Sequence, residues 1–129
     1  MSRTLLLIDD DDDIREIAQL SLELGAGWNV ITAASGPEGI ELAREKQPDA
    51  ILLDVMMPVL DGPATLARLR EDERTKAIPV VFLTAKARPA EHDRLASLDV
   101  AGVLPKPFDP MTLADRLQTT LGWTTGDTK

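Results

Sequence analysis

Five short apolar runs recur along the chain, at residues 5–8, 29–33, 50–53, 78–83 and 102–104. None alternates cleanly between apolar and polar, so each predicts a strand buried on both faces rather than on one. The second run is rich in β-branched residues, and Pro79 stands near the start of the fourth, where a missing donor is tolerated. Between the runs the apolar positions change to helical spacing. Ile14, Ile17, Ala18, Ser21 and Leu22 predict a helix over 12–24, with acids in its first turn and with Gly25 and Gly27 to stop it. Ser35 and Glu38 have capping-box spacing and open a helix through Ile40 and Ala43 that ends before Pro48. Leu66, Leu69 and Arg70 belong to a third helix, followed by a polar connection over 71–77, and residues 89–98 form a fourth. For the fifth, Asp109 is expected at the cap, Pro110 at the first position, and Phe108 with Leu113 as a staple. Leu113, Ala114, Leu117 and Leu121 face the core, and Gly122 ends the helix. Strands alternating with helices in this way predict an α/β, doubly wound parallel sheet covered on both faces.

At 129 residues the chain makes one domain, expected over 1–122 with a polar tail over 123–129. No further domain follows Leu121, which leaves either a complete single-domain protein or a fragment cut before a second domain. Cysteine is absent, which removes disulfides and thiolate metal sites and fits a reducing compartment. The first residues lead into only four apolar positions before five aspartates, neither a signal peptide nor a spanning helix. A net charge of −8 and a pI of about 4.5 disfavour direct binding to nucleic acid or to an anionic membrane.

The ends of the apolar runs carry the chemistry. In open sheets of this kind, ligands bind beyond the carboxyl ends of the strands. There the chain has Asp9-Asp10, then Asp54, then Thr84, then Lys106. Two unit charges about 4 Å apart repel by roughly 4 kcal/mol at an effective dielectric near 20. Lys106 offsets one of three carboxylates, and a divalent cation would balance the rest. Oxygen ligands favour Mg²⁺, Mn²⁺ or Ca²⁺ over zinc, and Mg²⁺ best suits a few carboxylates that share it with phosphate oxygens. A carboxylate beside Mg²⁺, a lysine and a threonine hydroxyl suits phosphoryl transfer, with Asp54 as nucleophile and the others stabilising equatorial charge. An EF-hand fails on spacing. Loops starting at Asp9, Asp10 or Asp11 put Leu20, Ser21 or Leu22 at the bidentate position, and one starting at Asp12 puts Ile17 where glycine is required. A phosphatase of the haloacid-dehalogenase type needs a second aspartate two residues after the nucleophile, where this chain has Met56. His92, the single histidine, is expected on the surface; Trp28 and Trp123 in packing; Asp11, Asp12 and Asp13 at a solvated helix start.

Four motifs in order, Ile8-Asp9-Asp10, Asp54 with Met57-Pro58 and Asp61-Gly62, Thr84-Ala85, and Lys106-Pro107-Phe108, make residues 4–121 resemble a response-regulator receiver domain. The resemblance implies a flavodoxin-like sheet of order 2-1-3-4-5 and Asp54 as phosphoacceptor. It implies Mg²⁺ held by Asp10, Asp54 and the Met56 carbonyl, with Asp9 acting mostly through water. Lys106 would pair with the phosphoryl group, Thr84 would move toward it, and the Lys106–Pro107 bond would be cis. The phosphodonor would be a phosphohistidine on a sensor histidine kinase or a histidine phosphotransfer protein. The receiver would catalyse its own phosphorylation and dephosphorylation rather than turn over an external substrate. An output partner would dock on the face of the fourth helix, fifth strand and fifth helix, without direct contact to nucleic acid or membrane, and the setting would be cytoplasmic. Two departures stand out: Val103 where the family carries an aromatic residue, and Pro105 before the lysine. Lys86, two residues after Thr84, is a candidate for the rim of the site. The rival functions are a receiver-like interaction module that takes no phosphate and a Mg²⁺-dependent phosphohydrolase.

Overall fold

The computed structural model describes residues 3–85 and 88–123. Lys86 and the tail after Trp123 lie outside the described residues. The elements alternate as β1 Thr4–Ile8, α1 Asp12–Ala26, β2 Asn29–Ala33, α2 Gly36–Lys46, β3 Ala50–Asp54, α3 Gly62–Glu71, β4 Val80–Thr84, α4 Pro89–Ala96, β5 Gly102–Pro105 and α5 Leu113–Leu121. The strands form one parallel sheet in the order β2-β1-β3-β4-β5, the class and order expected.

Successive strand residues point to opposite faces, and both faces are covered, which is why the runs lack polar positions. Leu6, Ile8, Ile51, Leu53, Val80 and Phe82 join Ile40, Leu66, Leu69 and Leu95 in one core cluster. Leu5, Leu7, Leu52, Val81 and Leu83 join Ala18, Leu22, Leu113 and Leu117 in the other. Each fully buried leucine stabilises the fold by about 2 kcal/mol relative to an exposed one. Trp28 is buried and packs edge to face against Trp123, ring centroids 5.3 Å apart, with the Arg3 guanidinium over the Trp123 ring.

Several element ends differ from the expected ones. Gly25 is helical and sits over Ala114; α1 runs on to Ala26 and stops at Gly27, whose left-handed backbone returns its N–H to the Glu23 carbonyl. Asp109 does not cap α5. Its carboxylate accepts the Met111 N–H and its carbonyl the Thr112 N–H, which closes a separate turn, so α5 begins at Leu113. β4 begins at Val80 rather than 78 because the Ile78 N–H is turned back to the Thr75 carbonyl. α4 ends at Ala96 rather than 98. The Ser35 hydroxyl accepts the Glu38 N–H as the box requires, but Glu38 reaches the Ala34 N–H, one residue earlier than expected.

The register sets up the site. Ile8 pairs with Leu53, so Asp9 and Asp54 leave the sheet side by side. Asp54 pairs with Leu83, which puts Thr84 one step beyond, and Thr84 pairs with Pro105, which puts Lys106 one step beyond that. From β1 the chain crosses to β2 on one side and β3 lies on the other, and this divergence leaves a crevice above the β1 and β3 ends.

Candidate functional site

The crevice is lined by Asp9, Asp10 and Asp54, which can each bring a carboxylate oxygen within 4.8 Å of the others. Asp9 is fully buried and Asp54 nearly so, while Asp10 is exposed at the mouth. Lys106 reaches in from the end of β5. Its Nζ lies 2.9 Å from Asp9 Oδ2 and 3.1 Å from Asp54 Oδ1. The Lys106 N–H donates to the Thr84 carbonyl at 2.8 Å, and the Lys106–Pro107 peptide is cis, as expected. Thr84 is buried beside this backbone link.

The loop that carries Asp9 and Asp10 is tied down by Asp11 and Arg15. Asp9 Oδ1 accepts the Asp11 N–H at 2.9 Å, and the Arg15 guanidinium donates to the Asp9 carbonyl at 2.7 Å. Asp11 caps α1 by accepting the Asp13 and Ile14 N–H groups, and Arg15 also pairs with Asp12. The β3–α3 loop bears Met56, whose N–H lies 3.4 Å from Asp54 Oδ1 and whose side chain is largely exposed. The loop returns through a capping Asp61, whose carboxylate accepts the Ala64 N–H at 2.9 Å. Asp-Gly-Pro is a legible helix start, but it reads as a turn when its neighbours are ignored. Val59, at the loop tip, is fully exposed and left-handed at φ 70°, a strained conformation for a β-branched residue.

Burial pushes the Asp54 carboxyl up to about 6, and the charge of Asp9 adds to it; Lys106 and the Met56 N–H oppose the shift. Burial alone would pull the Lys106 ammonium down, but its hydrogen bonds and charge pairing with Asp9 and Asp54 outweigh that and hold it above its ordinary range. One group at the centre has no protein partner: Asp54 Oδ2 is buried without a hydrogen bond among the described residues. A buried carboxylate oxygen in that state is costly unless a cation or a reacting atom engages it.

Each residue singled out for chemistry at the strand ends therefore lies at this one edge. His92 is exposed on α4, as expected. A groove of about 540 Å³ runs between α4 and β5, lined by Thr84, Pro89, His92, Val103 and Pro105, with Arg116 of α5. Val103, one of the lining residues, is half-buried.

The family model for the response regulator receiver domain matches residues 5–118. Among curated proteins, the DNA-binding dual master transcriptional regulator RpaA of Synechocystis is 40% identical over 91% of this chain and 48% of its own length. The phosphate regulon transcriptional regulatory protein PhoB of Pseudomonas aeruginosa is 35% identical over 94% of this chain and 52% of its own. The chain thus spans about half the length of these relatives. Among solved structures, chemotaxis response regulator CheY4 of Vibrio cholerae superposes with a TM-score of 0.85 at 32% identity, covering 93% of this chain and 99% of that one. The Francisella response regulator 1452 receiver domain superposes at 0.83 with 27% identity, covering 99% of this chain and all of that one.

Proposed function

The chain belongs to the response regulator receiver domains of two-component signalling, and on that premise we propose that Asp54 accepts a phosphoryl group from a phosphohistidine and so switches a partner-binding surface. The observation that carries this reading is the buried, unpartnered Asp54 Oδ2 beside an Oδ1 already engaged by Lys106 and the Met56 N–H. In the step, an electron pair of Asp54 Oδ2 forms the O–P bond as the P–N bond to the donor imidazole breaks, and that pair returns to the ring nitrogen. Lys106 holds Asp54 in place, then follows the negative charge onto the phosphoryl oxygens. Thr84, whose carbonyl accepts the Lys106 N–H, would offer its hydroxyl to the same group.

The donor set fits a hard divalent cation: clustered carboxylates, one orphaned oxygen, and no sulfur or histidine in the cluster. Asp10, Asp54 and the Met56 carbonyl would hold Mg²⁺, with Asp9 acting through water, and the ion would neutralise charge that builds on the transferring group. The donor would be a sensor histidine kinase or a histidine phosphotransfer protein. An output partner would read the face of α4, β5 and α5, where the groove beside Val103 lies. The acidic balance argues against direct nucleic-acid contact by this domain, and among the described residues no helix is long and apolar enough to cross a membrane. Residues 1–122 would act as the receiver, with the rest as a tail.

Incubation with Mg²⁺ and acetyl phosphate, followed by intact mass and by phosphate release, tests the reading. One phosphoryl group retained per chain supports the switch. No adduct indicates an interaction module, and multiple rounds of phosphate release indicate a hydrolase.

A further inference from the structure

Gly62 opens α3, and its place is set by space rather than by backbone conformation, since its φ is not among the positive ones. A Cβ at Gly62 would lie 2.7 Å from the Asp54 carbonyl oxygen and 2.8 Å from the Val55 Cα. Both are backbone atoms. At the other crowded glycines the contacts under 3.0 Å are with side-chain atoms: Thr65 Oγ1 at Gly36, Ile8 at Gly39 and Thr120 Cγ2 at Gly102. Gly62 alone, among the described glycines, presses so closely on the main chain, and it does so at the peptide that follows Asp54. Its N–H also donates to the Val55 carbonyl at 2.8 Å, so the loop that leaves β3 closes back onto its own first residue. The return is secured by Thr65, whose hydroxyl donates to the Asp61 carbonyl at 2.8 Å, and by the Asp61 cap on Ala64.

We propose that Gly62 is a positioning residue for the phosphoryl-acceptor site: its missing side chain lets α3 abut the Asp54–Val55 peptide, and this contact sets the Val55–Met56 backbone beside the Asp54 carboxylate. The proposal rests on the reading of Asp54 as acceptor and of the Met56 carbonyl as a Mg²⁺ ligand. β3 is paired with β1 on one side and β4 on the other and cannot yield easily. A methyl at position 62 therefore displaces the start of α3 and opens the hydrogen bond to Val55. The segment 56–61 then loses its anchor, while the Lys106–Asp54 pair, held by the strands, remains.

The experiment compares wild type, Gly62→Ala, Thr65→Val and Leu69→Ala. Leu69 is fully buried on the same helix, seven residues further on, and its truncation destabilises the fold without touching the latch. Mg²⁺ binding is read by titration calorimetry, the metal-free loop by the Val55 and Met56 amide resonances, and folding by urea denaturation. Gly62→Ala is expected to weaken Mg²⁺ binding by about tenfold, as a displacement of part of an ångström would, and to move both amides before metal is added. Thr65→Val, which keeps the side-chain volume and loses one hydrogen bond, should weaken binding a few-fold while remaining folded. Leu69→Ala should bind as wild type despite its lower stability. Unshifted Val55 and Met56 amides in Gly62→Ala, or unchanged Mg²⁺ binding in both latch variants, overturns the proposal. If wild type binds no Mg²⁺, the metal assignment fails by itself, and the metal-free amide positions decide the role of Gly62.

Discussion

The Lys106 ammonium lies 3.1 Å from Asp54 Oδ1, joining the end of β5 to the end of β3 across the intervening β4. The same ammonium lies 2.9 Å from Asp9 Oδ2, so one cation bridges two buried carboxylates.

Removing that cation leaves two adjacent buried carboxylates without a counter-charge. Lys106→Met should lower stability by about 3 kcal/mol at neutral pH in metal-free buffer. Part of the loss should return on adding Mg²⁺, because a ligand that binds only the native state stabilises it by mass action. Urea denaturation with and without Mg²⁺ measures both effects; equal stability of variant and wild type without metal would show that the pair contributes nothing.

Neutralising the acceptor acts in the opposite direction. The Asp54 carboxyl is lifted from 3.8 to about 6, so the folded state holds its proton more tightly than the unfolded chain. Ionisation therefore costs native stability, which wild type regains as pH falls from about 6 toward 3.8. Asp54→Asn should exceed wild type by about 1 kcal/mol or more at neutral pH without metal, and the lead should fade by pH 4. A variant clearly less stable than wild type at pH 7 would remove the crowded-carboxylate account.

At the opposite end of the sheet the sign reverses. The Arg74 backbone N–H, the Arg74 guanidinium and Arg44 hold the Asp72 carboxyl down at about 2, against an ordinary 3.8. Its stabilisation is present above 3.8 and is lost as pH falls from there to about 2. The stability gap between wild type and Asp72→Asn should therefore narrow across that window, which acid titration of the two proteins followed by circular dichroism reads directly. A constant gap would rule Asp72 out as an acid-sensitive tie between the ends of α2 and α3.

The strand-end residues were legible because four of the five apolar runs lead, directly or after one proline, into a polar residue, and a parallel sheet gathers such ends at one edge. Asp9, Asp54, Thr84 and Lys106 needed no contact information beyond that rule. The supports around them were hidden for a physical reason: they act through close approach, not through pattern. Gly62 reads as a turn residue until the Asp54 carbonyl is seen against it, and Arg15 reads as a surface cation until it is seen on the Asp9 carbonyl. The expected cap at Asp109 failed because its carboxylate closes a local turn before the helix starts, which an Asp-Pro pair at a helix start does not reveal.

Val103 bears on how a signal leaves the site. It is half-buried against the core, and valine has one stiff torsion and no ring to swing. α4, by contrast, has Arg88 at its N-cap with no side-chain cap hydrogen bond, and it buries only Leu95. Binding of beryllofluoride, which stands in for the phosphoryl group, should shift the Ala85 and Arg88 amides and leave the Val103 methyls in one rotamer. A new Val103 rotamer with quiet amides at Ala85 and Arg88 would show that the signal leaves through Val103 and not through the start of α4.

Locating the phosphoryl group tests directly whether Asp54 is the acceptor. Protein treated with Mg²⁺ and acetyl phosphate is reduced with borohydride, which converts an acyl phosphate to an alcohol and leaves free carboxylates alone, and is then mapped by peptide mass. One modified residue is expected, Asp54, with no modification in Asp54→Asn or when Mg²⁺ is withheld. Modification at Asp9 or Asp10, or an unmodified Asp54 in fully folded wild type with Mg²⁺ present, would contradict that assignment.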